Sequence, residues 1–501
     1  MSDVRPLDKT PAIGVEYWLA GLAAAGLAFW FNFNFVLNHF AQGPYLYDTG
    51  WFAGMIYHPT WNLIAPMAMG EQASFYNTHI SPLLYLLGLP SYFLPDVMPV
   101  YYAKVLGVVY GTLGLTGAIA AEPLTRKWGW RGPLAAGLIG LGLAFSGISL
   151  AAIGFPHYEP LYAGLAGLFL ALLLRGKWQW AALPFGLALL VREDCGLHLF
   201  GILILLFLCS WPASTLRPGR RRLLGYALAG LAFSIAEIIL QKTFYHGDNA
   251  LQRIYLGEPS FAHVTAALIK QRLGFYLHAN KYILAPGLLL TALAGWRRSW
   301  LLLAGVVAVL PWVVVNFLAK SNEAGEIHTY YAFPLLVMLI WPLLIYPVDP
   351  RRPTPGAALL GSGVVLGSSL LFFILERSND FGHLEKFGAT PAVFSVRDYE
   401  QGRQLVKALE KQTPDILFDG SVAAMYPMDI SAPKVHHRDS HGPVPQVLAG
   451  FWGGYDHAEA VLNSSQTWQM YVLPNPHLYI LSQTPLPAGL TDEKQTRRTE
   501  A

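Results

Sequence analysis

The chain has 501 residues, 54% of them hydrophobic and only 13% charged, with a mean hydropathy of +0.38. A water-soluble fold of this size could hardly cover that apolar content with polar surface, so a bilayer is the expected solvent. The formal charge of +3 sits in short, separated Lys and Arg clusters with no continuous basic stripe, which excludes a nucleic-acid partner.

A helix needs about 20 predominantly apolar residues to cross the hydrocarbon layer. Such runs occur near residues 15–37, 99–121, 132–153, 159–174, 179–192, 196–213, 223–243, 281–295, 299–319, 330–348 and 357–376. They predict about eleven spanning helices, the fifth and sixth short and nearly continuous. The first run is too long for a signal-peptide core and lacks a convincing cleavage site, so it reads as a retained helix. Many of the 15 Trp and 25 Tyr stand beside the ends of these runs, where amphipathic rings favour the headgroup layer. Cys195 and Cys209 lie in or beside apolar segments and read as buried small hydrophobes, with no disulfide framework or redox chemistry indicated.

Compact basic groups fall between alternate runs: Arg126, Lys127 and Arg131; Arg175 and Lys177; Arg217 with Arg220, Arg221 and Arg222; Arg297 and Arg298; Arg351 and Arg352. The positive-inside rule places these loops in the cytoplasm, together with the N-terminal residues 1–14 that carry Arg5 and Lys9. The stretch from His39 to Tyr102 has no Lys or Arg, which puts a large first loop, residues 38–98, outside. His157 to Glu159, Lys320 to Tyr330 and everything after Glu376 fall on that side too. One orientation thus satisfies every loop, that of a multi-pass protein of the cell (inner or plasma) membrane. The tail, residues 377–501, is polar, with a helix-like stretch near Asp398 to Lys411 and strand-like runs at Asp415 to Phe418 and Gln469 to Leu473. It reads as a small extracytoplasmic α/β domain with a Pro-rich, disordered end over residues 484–501.

Polar residues with chemical potential gather on the outer side. Asp48, in Tyr47-Asp48-Thr49-Gly50, is a lone carboxylate among aromatics and a candidate general base, although Asp before Thr-Gly is also ordinary cap or turn chemistry. The same loop ends on Asn77-Thr78-His79-Ile80-Ser81-Pro82. His157 and Glu159, two residues apart, suit an anion, a metal or each other; the plainer reading is an interfacial hydrogen-bonded pair opening the next helix. Arg192-Glu193-Asp194 is flanked on both sides by apolar sequence, where three charges are costly unless they face a wet cavity or pair with one another. A planar guanidinium there suits bidentate capture of phosphate or carboxylate, and a structural ion pair is the competing view. Glu326, His328 and Tyr330 bring acid, imidazole and phenol to the outer mouth of a later span. In the tail, His436-His437-Arg438-Asp439-Ser440-His441 has metal-ligand donors without a recognised spacing, and a solvated loop is the simpler reading. No Walker loop, dinucleotide fingerprint or nucleophile elbow stands in a suitable context, and no internal repeat is visible.

The ordered set Tyr47-Asp48-Thr49-Gly50, His79-Ile80-Ser81-Pro82, Pro156-His157-Tyr158-Glu159, Arg192-Glu193-Asp194 and His328-Thr329-Tyr330-Tyr331-Ala332 resembles a family of bacterial and archaeal multi-pass membrane proteins, catalogued as domain of unknown function 2079, which look like GT-C glycosyltransferases. The resemblance covers about residues 15–376 and fragments of the tail. It departs from the usual pattern at Asp48-Thr49-Gly50, where the family has aspartate-leucine-glycine, and at Arg192-Glu193, where it commonly has lysine-glutamate.

The resemblance implies an all-α polytopic transmembrane bundle of GT-C type that transfers a sugar from a polyprenyl-phosphate donor to an acceptor on the extracytoplasmic face. Asp48 maps to the acidic, catalytic position. The accompanying expectations are substrate or phosphate binding by His79, His157, Arg192, His328 and Tyr330, and an orienting or metal-binding role for Glu159, Glu193, Asp194 and Glu326. A divalent cation is a candidate cofactor; the partners are the lipid-linked donor and membrane lipid. The rival reading is a transporter or lipid flippase for an anionic substrate, against which stand the absence of a repeat and the one-sided polar clusters.

Overall fold

The computed structural model describes residues 11–40, 45–57, 61, 63, 74–89, 93, 98–154, 157–211, 216, 219–247, 251–327, 330–349, 354–376, 396–426, 429–431, 434–436, 447–451, 469–472 and 478–486. The chain divides into two units: Met1–Asn32, Tyr76–Leu83 and Val105–Gly388 form the first, and Phe33–Phe75, Leu84–Lys104 and Ala389–Ala501 the second.

In chain order the helices are α1 (Val15–Phe40), α2 (Tyr45–Tyr57), α3 (Pro82–Gly88), α4 (Met98–Thr125), α5 (Arg131–Ala144), α6 (Gly147–Ile153), α7 (Pro160–Leu174), α8 (Trp178–Leu189), α9 (Cys195–Cys209) and α10 (Arg220–Phe244). They continue with α11 (Ala266–His278), α12 (Lys281–Arg297), α13 (Trp300–Val307), α14 (Leu310–Phe317), α15 (Asn322–Glu326), α16 (Leu336–Ile345), α17 (Pro355–Leu375), α18 (Val396–Gln412) and α19 (Gly420–Met425). Every apolar run read from the sequence falls on helix. Among the described residues, however, five stretches are long and apolar enough to cross a membrane: Ala103–Trp128, Arg220–Phe244, Trp300–Phe317, Asn322–Ile345 and Pro355–Leu375. The pair α5 and α6, bent by 53°, adds a sixth, while α7 and α9 are apolar but shorter.

Two of the expected runs are broken by local chemistry. At the bend Ser146 accepts from the Ser149 N–H at 3.3 Å and donates to the Leu143 carbonyl at 2.9 Å, so its hydroxyl ends one helix and caps the next. The fifth and sixth runs become α8 and α9, of 12 and 15 residues, separated by the charged Arg192-Glu193-Asp194 turn.

Burial sorts the long stretches. Ala103–Trp128 and Asn322–Ile345 are 78% and 94% buried and run inside the bundle, whereas Arg220–Phe244 is 28% buried and shows Leu228, Ile235 and Ile239 outward. Outward apolar faces are what a hydrocarbon solvent requires. Helix contacts in lipid rely on close backbone approach rather than on hydrophobic drive. The crossing of α4 and α5 shows this: a Cβ at Gly117 would lie 2.5 Å from the Gly140 Cα and 2.6 Å from its nitrogen. At the opposite end from the site, Glu122 is fully buried and matched by both Arg126 and Arg175.

In the second unit, β1 (Ile416–Asp419), β2 (Val435–His436), β3 (Val447–Phe451), β4 (Gln469–Val472) and β5 (Leu478–Ser482) form one mixed sheet in the order β2-β1-β3-β5-β4. β1 is parallel to β2 and β3, and β5 is antiparallel to β3 and β4. The expected helix and both expected strands are present as α18, β1 and β4. The short, turn-poor runs of β3 and β5 carried too little alternation to be read. The histidine-rich loop after His436 and the chain end beyond residue 486 lie outside the described residues. Asp48 sits in α2, so its Asp-Thr-Gly run is helical and not a turn; the Asp48 side chain is outside the described residues. Gly50 gives the reason for a small residue here, since a Cβ at that position would collide with the Ala424 backbone of α19.

Replacing Gly117 by Leu is expected to lower stability by about 1–3 kcal/mol, as overpacking does in other cores. Thermal unfolding in detergent checks this, and a melting temperature equal to that of the unmodified protein would contradict the close α4–α5 contact.

Candidate functional site

The first unit contains a cavity of about 410 Å³ between the outer ends of α9, α10 and α14. One end is polar, with Thr78, His79, Arg192, Glu193, Asp194, His198, Gln241 and Lys242. The flank is apolar, formed by Leu197, Ile238, Leu251, Ile254, Pro311 and Val315, and Tyr255, Trp312, Tyr330 and Tyr331 complete the wall.

Arg192 organises the polar end. It is 4% exposed, and it donates from Nε to Asp194 Oδ1 at 2.8 Å and from Nη2 to Asp194 Oδ2 at 2.6 Å, a bidentate fork. Its Nη1 reaches Glu159 Oε1 at 3.4 Å, and the guanidinium lies 5.1 Å from the Phe333 ring centre and 5.8 Å from that of Trp312. Glu159, at the start of α7, meets His157 Nδ1 at 3.2 Å. Asp194 faces His198 Nε2 at 3.5 Å, one helical turn into α9. Glu193 takes the third imidazole: His79 Nδ1 lies 2.9 Å from Oε1, and the Ile80 N–H donates to Oε2 at 3.0 Å. Carboxylate and cationic or imidazole groups therefore alternate through the cluster, which is how charges at membrane depth are tolerated.

The His79 segment is fixed from several sides. Gln241 donates to the Thr78 carbonyl at 2.8 Å, Ser81 donates to the Tyr158 hydroxyl at 2.9 Å, and the Leu83 N–H donates to the Leu190 carbonyl at 2.9 Å. His157 stacks on Tyr330 with ring centres 3.6 Å apart and planes 7° from parallel, joining the α7 entrance to the cavity wall. The Trp312 N–H donates to the Tyr331 carbonyl at 2.8 Å.

Burial acts against the Glu159 carboxylate, but His157, Arg192 and His79 outweigh it and hold the group down at about 2. Burial likewise disfavours charged Asp194, and Arg192 with His198 reverses the balance and keeps its carboxyl well below the usual carboxylate range. The Arg192 guanidinium, desolvated yet ringed by Asp194, Glu159 and Glu193, is held charged.

Of the residues singled out in the sequence, His79, His157, Glu159, Arg192, Glu193, Asp194 and Tyr330 are brought together. Glu326 does not line the cavity; it faces Arg272 at 3.6 Å. His328 lies outside the described residues. Sequence reading missed His198, Gln241, Lys242, Tyr255 and Trp312. The Asp194-to-His198 spacing of four on one helix was a usable signal for the first. Lys242, a cation at the outer end of a span and against the charge rule, was another; Trp312 sits in an unbroken apolar run and carried none. Glu159, Glu193 and Asp194 are each already matched by a guanidinium or an imidazole. Among the described residues no group of three His, Cys, Asp or Glu is placed to hold a metal ion.

No family model and no curated protein matches the chain. It is similar to ArnT from Cupriavidus metallidurans, crystallised bound to undecaprenyl phosphate, with a TM-score of 0.47 and 12% identity over 96% of this chain and 100% of that one. It is also similar to the Archaeoglobus fulgidus oligosaccharyltransferase tethered to an acceptor peptide, with a TM-score of 0.34 and 12% identity over 94% of this chain and 75% of that one. At these levels neither likeness says what the chain does, and its function is argued from the site.

Glu159→Gln is expected to destabilise the protein by about 3 kcal/mol, because it removes one partner of a buried charge network. The folded Glu159 carboxyl is held below its ordinary value of 4.5, so its stabilising contribution is present above 4.5 and is lost as pH falls toward about 2. Unfolding followed from neutral pH down to that range checks both; a Gln variant with an unchanged acid limb would show that Glu159 is not part of the network.

Proposed function

We propose that the chain is a membrane glycosyltransferase that moves a sugar from a polyprenyl-phosphate donor to an acceptor on the extracytoplasmic face. The observation that carries this reading is the two-ended cavity: a charged end and an apolar flank in one space fit an amphiphile with an anionic head and a hydrocarbon tail. This reading places the N-terminus in the cytoplasm and the tail domain outside.

Lys242 meets the lipid phosphate. It lines the cavity and has no carboxylate partner among the described residues, whereas Arg192 spends its donors on Asp194 and Glu159. Arg192 adds positive potential and holds the network in place. Fixed cations beside the leaving phosphate stabilise the negative charge that develops there. In the transfer, the acceptor oxygen bonds to the anomeric carbon as the bond from that carbon to the phosphate oxygen breaks. The electron pair leaves with the lipid phosphate, and the acceptor proton passes to a carboxylate base, for which Asp48 is our assignment.

His79, oriented by Glu193, and Tyr330, braced by His157, form the walls that set the sugar's position. His328 joins them as a substrate contact, Glu159, Glu193 and Asp194 orient the cationic and imidazole groups, and Glu326 orients Arg272.

Asp48→Asn is expected to abolish transfer with membrane insertion intact, and Lys242→Met to weaken binding of undecaprenyl phosphate by about tenfold, the loss of one charge-assisted contact. Mass spectrometry of extracytoplasmic glycans and glycolipids in a deletion strain complemented with each variant, together with lipid binding by purified protein, measures both. Undiminished transfer by the Asn variant would exclude Asp48 as the base. Substrate accumulation in proteoliposomes without covalent transfer would replace the enzyme reading with a transporter.

A further inference from the structure

The face away from the cavity carries its own built feature. By the positive-inside rule the basic groups at residues 126–131, 175–177, 220–222 and 297–298 share one side, opposite the cavity residues at 157–159 and 192–194. On that side four guanidinium groups lie over tryptophan rings. Arg220 is 3.2 Å from the Trp211 ring centre and 4.6 Å from that of Phe207; Arg222 is 4.8 Å from Trp178, Arg297 5.4 Å from Trp296, and Arg131 5.6 Å from Trp130. The tryptophans are not core residues: Trp130 is 74% and Trp296 81% exposed, and Trp211 is half exposed.

We propose that this face docks the headgroups of anionic phospholipids. An indole at a helix end belongs in the headgroup layer. A guanidinium stacked on it is held in a fixed orientation, is only weakly hydrated and presents its in-plane donors edge-on, the geometry that takes phosphate oxygens. The charge on this side is one-signed where it matters. Among the described residues its acids are Glu16, Glu122 and Asp349; Glu122 is matched by Arg126 and Arg175, and buried Asp349 accepts from Ser299 at 3.1 Å. Lys127, Arg131, Arg220, Arg221 and Arg298 have no acidic partner among the described residues. The cavity side differs, because Glu159, Glu193 and Asp194 there are paired with Arg192, His157 and His79, leaving Lys242 as the cavity's unmatched cation among the described residues. A surface layer of anionic headgroups complements the first side.

The probe is phosphatidylglycerol against phosphatidylcholine. Full-length protein is reconstituted in nanodiscs holding equal amounts of both, and the lipids it retains on release are weighed by native mass spectrometry. Phosphatidylglycerol is expected to be enriched. The combined variant Arg220→Ala, Arg221→Ala, Arg222→Ala is expected to reduce the enrichment by about tenfold or more, since each basic residue near an anionic surface contributes roughly fivefold. Trp211→Ala, which leaves every charge in place, is expected to reduce it by less, and thermal unfolding of each variant establishes that it is folded. Equal retention of both lipids, or enrichment unchanged in a folded triple variant, overturns the proposal. Displacement of the lipid by an equal concentration of soluble glycerol phosphate overturns it too, because the ligand would then be free phosphate. Binding of undecaprenyl phosphate at the cavity is measured alongside, so failure of this face and failure of the glycosyltransferase reading are separate results.

Discussion

A buried guanidinium stays charged only where carboxylates surround it, and much of the cavity side of the first unit is arranged to satisfy Arg192. Two of its nitrogens are taken by Asp194 and a third by Glu159. Each of those acids, being more than one cation can neutralise, recruits an imidazole of its own, His198 and His157. Removing a member leaves an uncompensated buried charge, the most expensive local defect available to a membrane fold. The network is therefore self-enforcing: the α7 entrance, the α8–α9 turn and the His79 segment are held together because none of their charges is tolerable alone.

That constraint leaves one wall of the cavity electrically spent and the other not. The α9 side presents groups whose donors and acceptors already serve one another. The α10 side presents Gln241, which holds the Thr78 carbonyl, and Lys242, which is matched by no carboxylate among the described residues. An anionic head would be drawn to the unspent wall, with the balanced network opposite it as a rigid, preorganised surface. Preorganisation matters here because a charged group that must first break an ion pair contributes far less to a transition state than one already in place.

The fold was legible in the sequence because bilayer thickness imposes a length on apolar runs, and every such run became helix. Where the reading stopped short, local chemistry explains it. Ser146 breaks one run by capping its second half, and Arg192-Glu193-Asp194 breaks another, so that continuous hydropathy hid discontinuous helices. The site was legible in part for the same reason. Charge in an apolar context is conspicuous, which marked Glu159, Arg192, Glu193 and Asp194, whereas Trp312 and Tyr255 look like any aromatic in a span or loop. What the sequence could not reveal was pairing. Arg192 reads equally well as a phosphate ligand or as a structural ion pair until its donors are followed to Asp194 and Glu159.

The two sides of the first unit handle charge by opposite means, and each depends on the solvent it meets. On the cavity side, charges face a confined space and are neutralised internally, so their energy depends on geometry and only weakly on salt. On the far side, Glu122 is internally matched by Arg126 and Arg175, while Arg131, Arg220, Arg222 and Arg297 lie over indole rings. The Lys and Arg count that sets topology and the ion pairing that builds the cavity network are thus carried by different residues of the same bundle.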